Sequence, residues 1–169
     1  MELTIKEQVY QFNFGMGFLR EMNRKVTVPV DGIKDVKRHI GLRYTVSGIM
    51  DGDVEALEEL LVAANKDQAP RVTTALLDEY IDDPETDIDQ LFEDVLGFLK
   101  NANATKKCLQ EIEKAILSGL MASHRHMPTL AAQLLPEMFT LPQVAMAFEA
   151  YLNIYNRGES ADALSVEKE

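Results

Sequence analysis

The spacing of apolar positions changes within the first 25 residues. In residues 9–23 (VYQFNFGMGFLREMN) apolar side chains alternate with polar ones up to Phe14 and then recur every four residues. Alternation is typical of a half-buried strand, and a spacing of four is typical of one helix face. The pattern therefore predicts a short hairpin of residues 2–6 and 9–13, turning at Lys6-Glu7, that leads into a helix.

The next segment, RKVTVPVDG, contains Pro29 and Gly32 and reads as a connector with a short extended stretch. Residues 33–50 then carry apolar side chains at spacings of three and four on both sides of Gly41. This pattern predicts one helix that is broken or kinked near Gly41.

Further along the chain, apolar stripes at helical spacing predict a series of amphipathic helices. They cover the segment DGDVEALEELLVAANK, residues 73–81, residues 88–100, a stretch starting near Thr105, and a final stretch running to about Asn156. Gly158 supplies the stop signal for the last one.

Three of these helices begin with N-cap signals, in which a short polar side chain accepts hydrogen bonds from free amides. The signals are Asp51 or Asp53, Asp87 with Gln90, and Thr140 with Gln143. The sum of the elements predicts a mainly α fold, a multi-helix bundle with a small N-terminal β-hairpin.

The formal net charge of −11 is unevenly distributed, because residues 51–100 hold fifteen Asp or Glu against three Lys or Arg and so carry −12. Phosphates would be repelled, which argues against nucleic acid as a direct ligand. No stretch approaches the roughly 18 apolar residues that cross a bilayer, so no membrane partner is expected. The lone Cys108 excludes an intramolecular disulfide and suits a reducing cytosol.

No catalytic, metal or cofactor site stands out in the sequence. Residues 83–94 fail as a calcium loop because Ile88 stands where glycine is needed and Asp94 where a bidentate Glu is needed. His124 and His126 are two apart, do not share a helix face, and have no further ligands nearby. We therefore expect no enzymatic activity, no metal and no cofactor.

The C-terminal third is rich in Met, Leu and Phe, which suits a surface that accepts a helix from another protein. The competing interpretation is an ordinary helical core, which the same spacing also predicts. The candidate protein-binding residues are Met121, Met127, Leu130, Leu134, Leu135, Met138, Phe139 and Met146.

Several blocks in order, among them ELTIKEQVYQF, NFGMGFLREMNR, DGDVEALEELLVAANK and DIDQLFEDVLGFLK, resemble the tail assembly chaperones of long-tailed bacteriophages and prophages of Gram-positive bacteria. The resemblance spans about residues 1–107. It implies a non-enzymatic helical protein that binds the hydrophobic tape-measure protein, keeps it soluble and recruits tail-tube subunits. It also implies a homo-oligomer of the host cell cytoplasm that is absent from the mature virion.

The resemblance divides the chain into three parts. Residues 1–105 form a domain like those of the tail assembly chaperones, residues 106–157 a C-terminal helical region, and residues 158–169 a disordered acidic tail. Two origins of the C-terminal region stay open. It is either a frameshift extension, with slippage at the codons of Lys106-Lys107, or the natural end of a longer family member, and a gene without a slippery heptamer would rule out the first.

The acidic segment also suggests a function of a different class, an inhibitor that imitates nucleic acid and occupies a DNA-binding protein. Its binding should collapse with salt. Replacing the acidic residues with Asn should abolish it, whereas a chaperone should lose little beyond solubility. The residues in question are Asp82, Asp83, Asp87 and Asp94.

Overall fold

The computed structural model describes residues 1–122, 134–136 and 139–158. The chain divides into two compact units, Met1–Cys108 and Leu109–Glu169. Each unit is described by itself below.

Within the described residues the chain forms seven helices and two antiparallel two-stranded sheets. The strands are β1 (Glu2–Ile5), β2 (Gln8–Gln11), β3 (Thr27–Pro29) and β4 (Lys37–His39). The helices are α1 (Met16–Lys25), α2 (Gly41–Met50), α3 (Val54–Ala64), α4 (Thr74–Ile81), α5 (Ile88–Asn101), α6 (Lys106–Ala122) and α7 (Pro142–Asn156). The predicted mainly α fold with an N-terminal hairpin is confirmed.

The hairpin β1–β2 turns at Lys6 and Glu7, as predicted. Both residues have positive φ, 49° and 65°, so the two-residue turn has the left-handed backbone that matches the twist of the flanking strands. The amide of Asn13, just after the hairpin, donates to the carbonyl of Ala64 at 2.9 Å. The first hairpin is therefore tied to the end of α3.

The predicted helix over residues 33–50 is wrong in its first half. Residues 33–36 form turns and bends, and β4 pairs with β3 in a second hairpin, so the helix starts only at Gly41. Gly32 (φ 76°) and Asp35 (φ 63°) adopt the left-handed backbone of a chain reversal, which a helix does not contain. The apolar spacing was misleading because Ile33 is 56% exposed and belongs to no helix face.

Gly41 starts α2 where the chain passes very close to α1. A Cβ atom at this position would lie 1.8 Å from the carbonyl oxygen of Met22. Only glycine allows this approach, so Gly41 has a packing role at the junction of the second hairpin and α2.

Two helices, α3 and α5, begin at predicted caps. Asp53 accepts from the amides of Glu55 and Ala56 at 3.0 and 3.2 Å, and Asp87 accepts from the amide of Gln90 at 3.0 Å. The Gln90 side chain donates to Asp94 instead of returning to the backbone of the cap, so only half of this capping box forms.

The interior of the N-terminal unit is aliphatic, with one buried amide. Several leucines of α2 to α5 are completely buried, among them Leu42, Leu57, Leu77 and Leu99. The side chain of Asn65, also 0% exposed, donates to the carbonyls of Gln11 and Pro70 and accepts from the amide of Val72 at 2.7 Å. These hydrogen bonds satisfy backbone groups of the adjoining loops that would otherwise be buried without a partner.

None of the helices in the described part of the chain is both long and apolar enough to span a membrane.

Candidate binding surfaces

Helix α7 uses one face to build the core of the C-terminal unit. This core consists of Phe139, Val144, Phe148, Tyr151 and Ile154. The rings of Phe139 and Phe148 have their centroids 5.0 Å apart, and Ile116 and Leu117 of α6 pack against the cluster. The inner face of α7 is therefore occupied and cannot serve a partner in this conformation.

A buried carboxylate fixes the start of α7. Glu113 is 2% exposed, and it accepts hydrogen bonds from the amides of Thr140 and Leu141 at 2.7 and 3.2 Å and from the Thr140 hydroxyl. A carboxylate bound to the free amides at a helix N-terminus is favoured by both hydrogen bonding and the helix dipole.

The capping box predicted at Thr140 and Gln143 is therefore wrong. The N-cap position of α7 is Leu141, which provides no side-chain cap, and Thr140 is a donor to Glu113. An ionised carboxylate is a stronger acceptor than a hydroxyl, so the long-range partner displaces the local one.

The eight candidate protein-binding residues fall into three groups. Phe139 is buried in the core, and Met121 and Leu134 are partly buried against it. Leu135 and Met146 are 51% and 69% exposed. Met127, Leu130 and Met138 lie outside the described residues.

Met146 lies on the outer face of α7. The neighbouring exposed positions on this helix are Pro142 and three polar residues, Gln143, Glu149 and Asn153. Because about two-thirds of the Met146 side chain is exposed to water, it contributes little to packing within the protein and is available for contact with a partner.

The N-terminal unit also exposes large apolar side chains, which sequence patterns had not singled out as a binding surface. They are Val9, Met16, Ile33, Val36, Tyr44, Val54 and Phe98. Tyr44 is the most exposed of them, at 67%. One feature of the sequence could have indicated this exposure, because Tyr44 is an aromatic residue that lies off the apolar stripe of its own helix.

Phe98 shows how such a residue is held. Its ring stacks on Phe14 with centroids 6.2 Å apart, and Phe14 makes an edge contact with Phe18 at 5.2 Å. Phe14 and Phe18 are buried, whereas Phe98 is 44% exposed. An anchored aromatic with a free face is a rigid contact surface, because little side-chain entropy remains to be lost on binding.

A cleft of 640 Å³ lies between α2 and the start of α3. Four of its nine lining residues are carboxylates, and Tyr44 is another lining residue. Two of these carboxylates have local partners, since Asp53 caps α3 and Glu59 pairs with Lys25 at 2.9 Å. Asp51 and Glu55, which are exposed, complete the acidic lining.

Three of the four acidic residues that suggested nucleic-acid imitation have structural roles. Asp83 accepts from the amide of Glu85 at 2.9 Å, Asp87 caps α5, and Asp94 accepts from the Gln90 side chain at 3.0 Å. Asp82 is exposed next to α4. Local turn and helix chemistry therefore accounts for much of this acidity.

Burial raises the pKa of two side chains in the N-terminal unit. Burial, and then the nearby charges of Asp78 and Glu55, raise the pKa of Glu58, whose Oε1 has no hydrogen-bond partner within the described residues. Burial also raises the pKa of Cys108, against the opposing effect of Arg43. A thiol with a raised pKa is less ionised, so Cys108 lacks the character of a nucleophile.

Within residues 1–122, 134–136 and 139–158 no group of three His, Cys, Asp or Glu side chains is arranged to hold a metal ion. His124 and His126 lie outside the described residues. His39 hydrogen-bonds through Nδ1 to the carbonyl of Asn23 at 3.1 Å.

Two sequence families match parts of the chain. The model of the family described as phage tail assembly chaperone protein, TAC, matches residues 2–114. The model of the DnaB-like helicase N terminal domain matches residues 105–169, so this segment is similar to that domain. No curated protein and no solved structure matches the chain at a significant level. Because the first match covers more than half of the 169 residues, the chain belongs to the phage tail assembly chaperone family.

Proposed function

We propose that this protein binds the tape-measure protein, keeps that long hydrophobic helix soluble, and recruits tail-tube subunits to it. The membership in the tail assembly chaperone family carries the proposal. In this role the protein self-associates on its client in the host cell cytoplasm and is left out of the mature virion. It acts through binding and not through catalysis.

The exposed apolar side chains support this role. A chaperone for an aggregation-prone helix needs apolar contact surface together with a strong net charge that keeps the complex dispersed. Met146 and Leu135 in the C-terminal unit supply such surface, and the net charge of −11 supplies the repulsion. We include Met127, Leu130 and Met138 in the same proposed contact surface on their sequence pattern alone.

Co-expression with the tape-measure protein tests the proposal. The fraction of tape-measure protein in the soluble lysate should be high with the wild type and low without it. The double variant L135S/M146S should reduce that fraction, because it removes apolar contact area without touching the core. The matched control N153S changes an exposed polar position on the same helix and should leave the soluble fraction unchanged.

Two outcomes would contradict the proposal. The first is a tape-measure protein that precipitates equally with and without the wild-type protein. The second is a complex that forms but captures no tail-tube protein in a pull-down, which would remove the recruiting role while leaving the solubilising one.

A further inference from the structure

The second hairpin, β3–β4, is an exposed basic element in an acidic protein. All residues from 31 to 39 are exposed. The hairpin itself, residues 27–39, holds three Lys or Arg and two Asp, a net charge of +1, and the adjoining parts of α1 and α2 bring residues 20–43 to +4. The surrounding chain has the opposite sign, since residues 51–100 carry −12.

Within the part of the chain that the structure describes, the cations of this hairpin form no ion pair. Four ion pairs form among the described residues, and they use Lys6, Lys25, Lys66 and Lys114. The basic side chains of the hairpin, Lys34, Lys37 and Arg38, are in none of them. Ile33 and Val36 lie between these cations and are 56% and 46% exposed, so the hairpin combines charge with apolar contact area.

The α2–α3 cleft runs along α2 from Tyr44 to the loop after the helix. The hairpin precedes the first residue of α2, whereas Asp51, Asp53 and Glu55 follow its last residue. The ten residues of α2, about 15 Å of helix, therefore lie between the root of the hairpin and these three carboxylates in the chain.

We propose that the β3–β4 hairpin of one copy docks in the α2–α3 cleft of a second copy, head to tail. The hairpin cations meet the cleft carboxylates, and Ile33 and Val36 pack against the exposed ring of Tyr44. The contact joins two different surfaces, so a growing assembly keeps a free hairpin at one end and a free cleft at the other. This inference rests on the self-association that the proposed function includes, and it identifies the surfaces that make it.

The second copy is the occupant that the charges favour. A basic hairpin also suits nucleic acid, but the net charge of −11 opposes the approach of a polyanion to the whole protein. The cleft presents to the hairpin two exposed carboxylates, those of Asp51 and Glu55, whose side chains cap no helix and form no ion pair among the described residues.

Sedimentation velocity on the full-length protein over a concentration series tests this inference. The wild type should associate, and the dissociation constant should rise at least about tenfold in the hairpin variant K34Q/K37Q/R38Q and in the cleft variant D51N/E55Q. Asp53 and Glu59 are left intact because they cap α3 and pair with Lys25. Raising the salt concentration should weaken the wild-type association in the same direction.

Mixing the two variants gives the sharpest result. The hairpin variant keeps a native cleft, and the cleft variant keeps a native hairpin, so an equimolar mixture should form heterodimers that cannot grow further. Matched controls remove equal charge from exposed positions elsewhere, and both should associate like the wild type. These controls are E85Q/E93Q for the cleft and R71Q/K106Q/K107Q for the hairpin.

Three results would overturn the inference. They are a wild type that stays monomeric, variants that associate as the wild type does, and a hairpin that binds single-stranded DNA in a manner lost in K34Q/K37Q/R38Q. Circular dichroism melting of each variant checks that lost association is not lost folding. Solubility of co-expressed tape-measure protein is scored separately, so a failure of the docking contact and a failure of the chaperone role give different results.

Discussion

The two hairpins of the N-terminal unit have the same secondary structure and opposite surroundings. In β1–β2, Ile5 is 2% exposed, and the segment that follows the hairpin is bonded to Ala64. In β3–β4 every residue from 37 to 39 is exposed, as is the whole reversal before them. One hairpin is part of the core, and the other is held at its root while its tip faces solvent.

The two hairpins therefore contribute to different properties, the first to stability and the second to contact with a partner. In β1–β2 the side chain of Ile5 is buried and contributes to stability, whereas Ile33 and Val36 of the second hairpin are exposed and available for contact. Substitutions in the first hairpin should therefore change the free energy of unfolding, and substitutions at the tip of the second should change association. Four substitutions test this contrast.

Replacing Gly41 by Ala at the root of the second hairpin should have the largest effect on stability. The added methyl would overlap the carbonyl oxygen of Met22, so α1 and α2 must move apart. We expect the free energy of unfolding to fall by more than about 3 kcal/mol, measured by urea unfolding followed by circular dichroism. The control G97A adds a methyl to open space in α5 and should raise stability by up to about 1 kcal/mol; equal losses in both variants would contradict the close approach.

Ile5→Ala should be the most damaging truncation within the hairpins. It deletes a fully packed side chain and should cost about 2–4 kcal/mol of unfolding free energy. Ile33→Ala, the matched truncation in the second hairpin, should change stability by less than about 0.5 kcal/mol because the side chain is already in water. The contrast between the hairpins fails if the two midpoints shift by the same amount.

Asn65→Ala tests how the first hairpin is joined to the core. It leaves the carbonyl of Gln11 and the amide of Val72 without their partner in a buried site. We expect a loss of about 1–3 kcal/mol in the same unfolding experiment, with faster amide exchange at Val72. Asn103→Ala, at an exposed turn, serves as the control, and an unchanged exchange rate at Val72 would argue against this role.

Lys6→Met should have the smallest effect. Lys6 forms an ion pair with Glu79, but the two side chains are 66% and 58% exposed, so the pair is well solvated. We expect a change of less than about 1 kcal/mol that disappears at high salt. A larger loss that persists in high salt would mean that the turn of the first hairpin is held by more than its buried side chains.

The candidate binding surface was only partly predictable from sequence. Met and Leu at helical spacing in the C-terminal third indicated apolar helices, but the pattern did not separate the buried Phe139 from the exposed Met146. It also did not predict that Phe98 keeps a free face or that Tyr44 borders a cleft. Periodicity gives the face of a helix on which a residue lies, while exposure depends on which elements pack against that face.

The sequence by itself determined the features that depend on near neighbours in the chain. It predicted the first hairpin, a cap of α3 at Asp51 or Asp53, the cap at Asp87, and the bounds of α4 and α5 to within a residue. Turn geometry and helix capping act over a few residues, so these features are local. Only the tertiary structure decided that residues 33–40 form half of a hairpin and that Glu113 fixes the start of α7. Glu113 and Thr140 are 27 residues apart, so their contact exists only once the C-terminal unit has packed, and a local pattern carries no information about it.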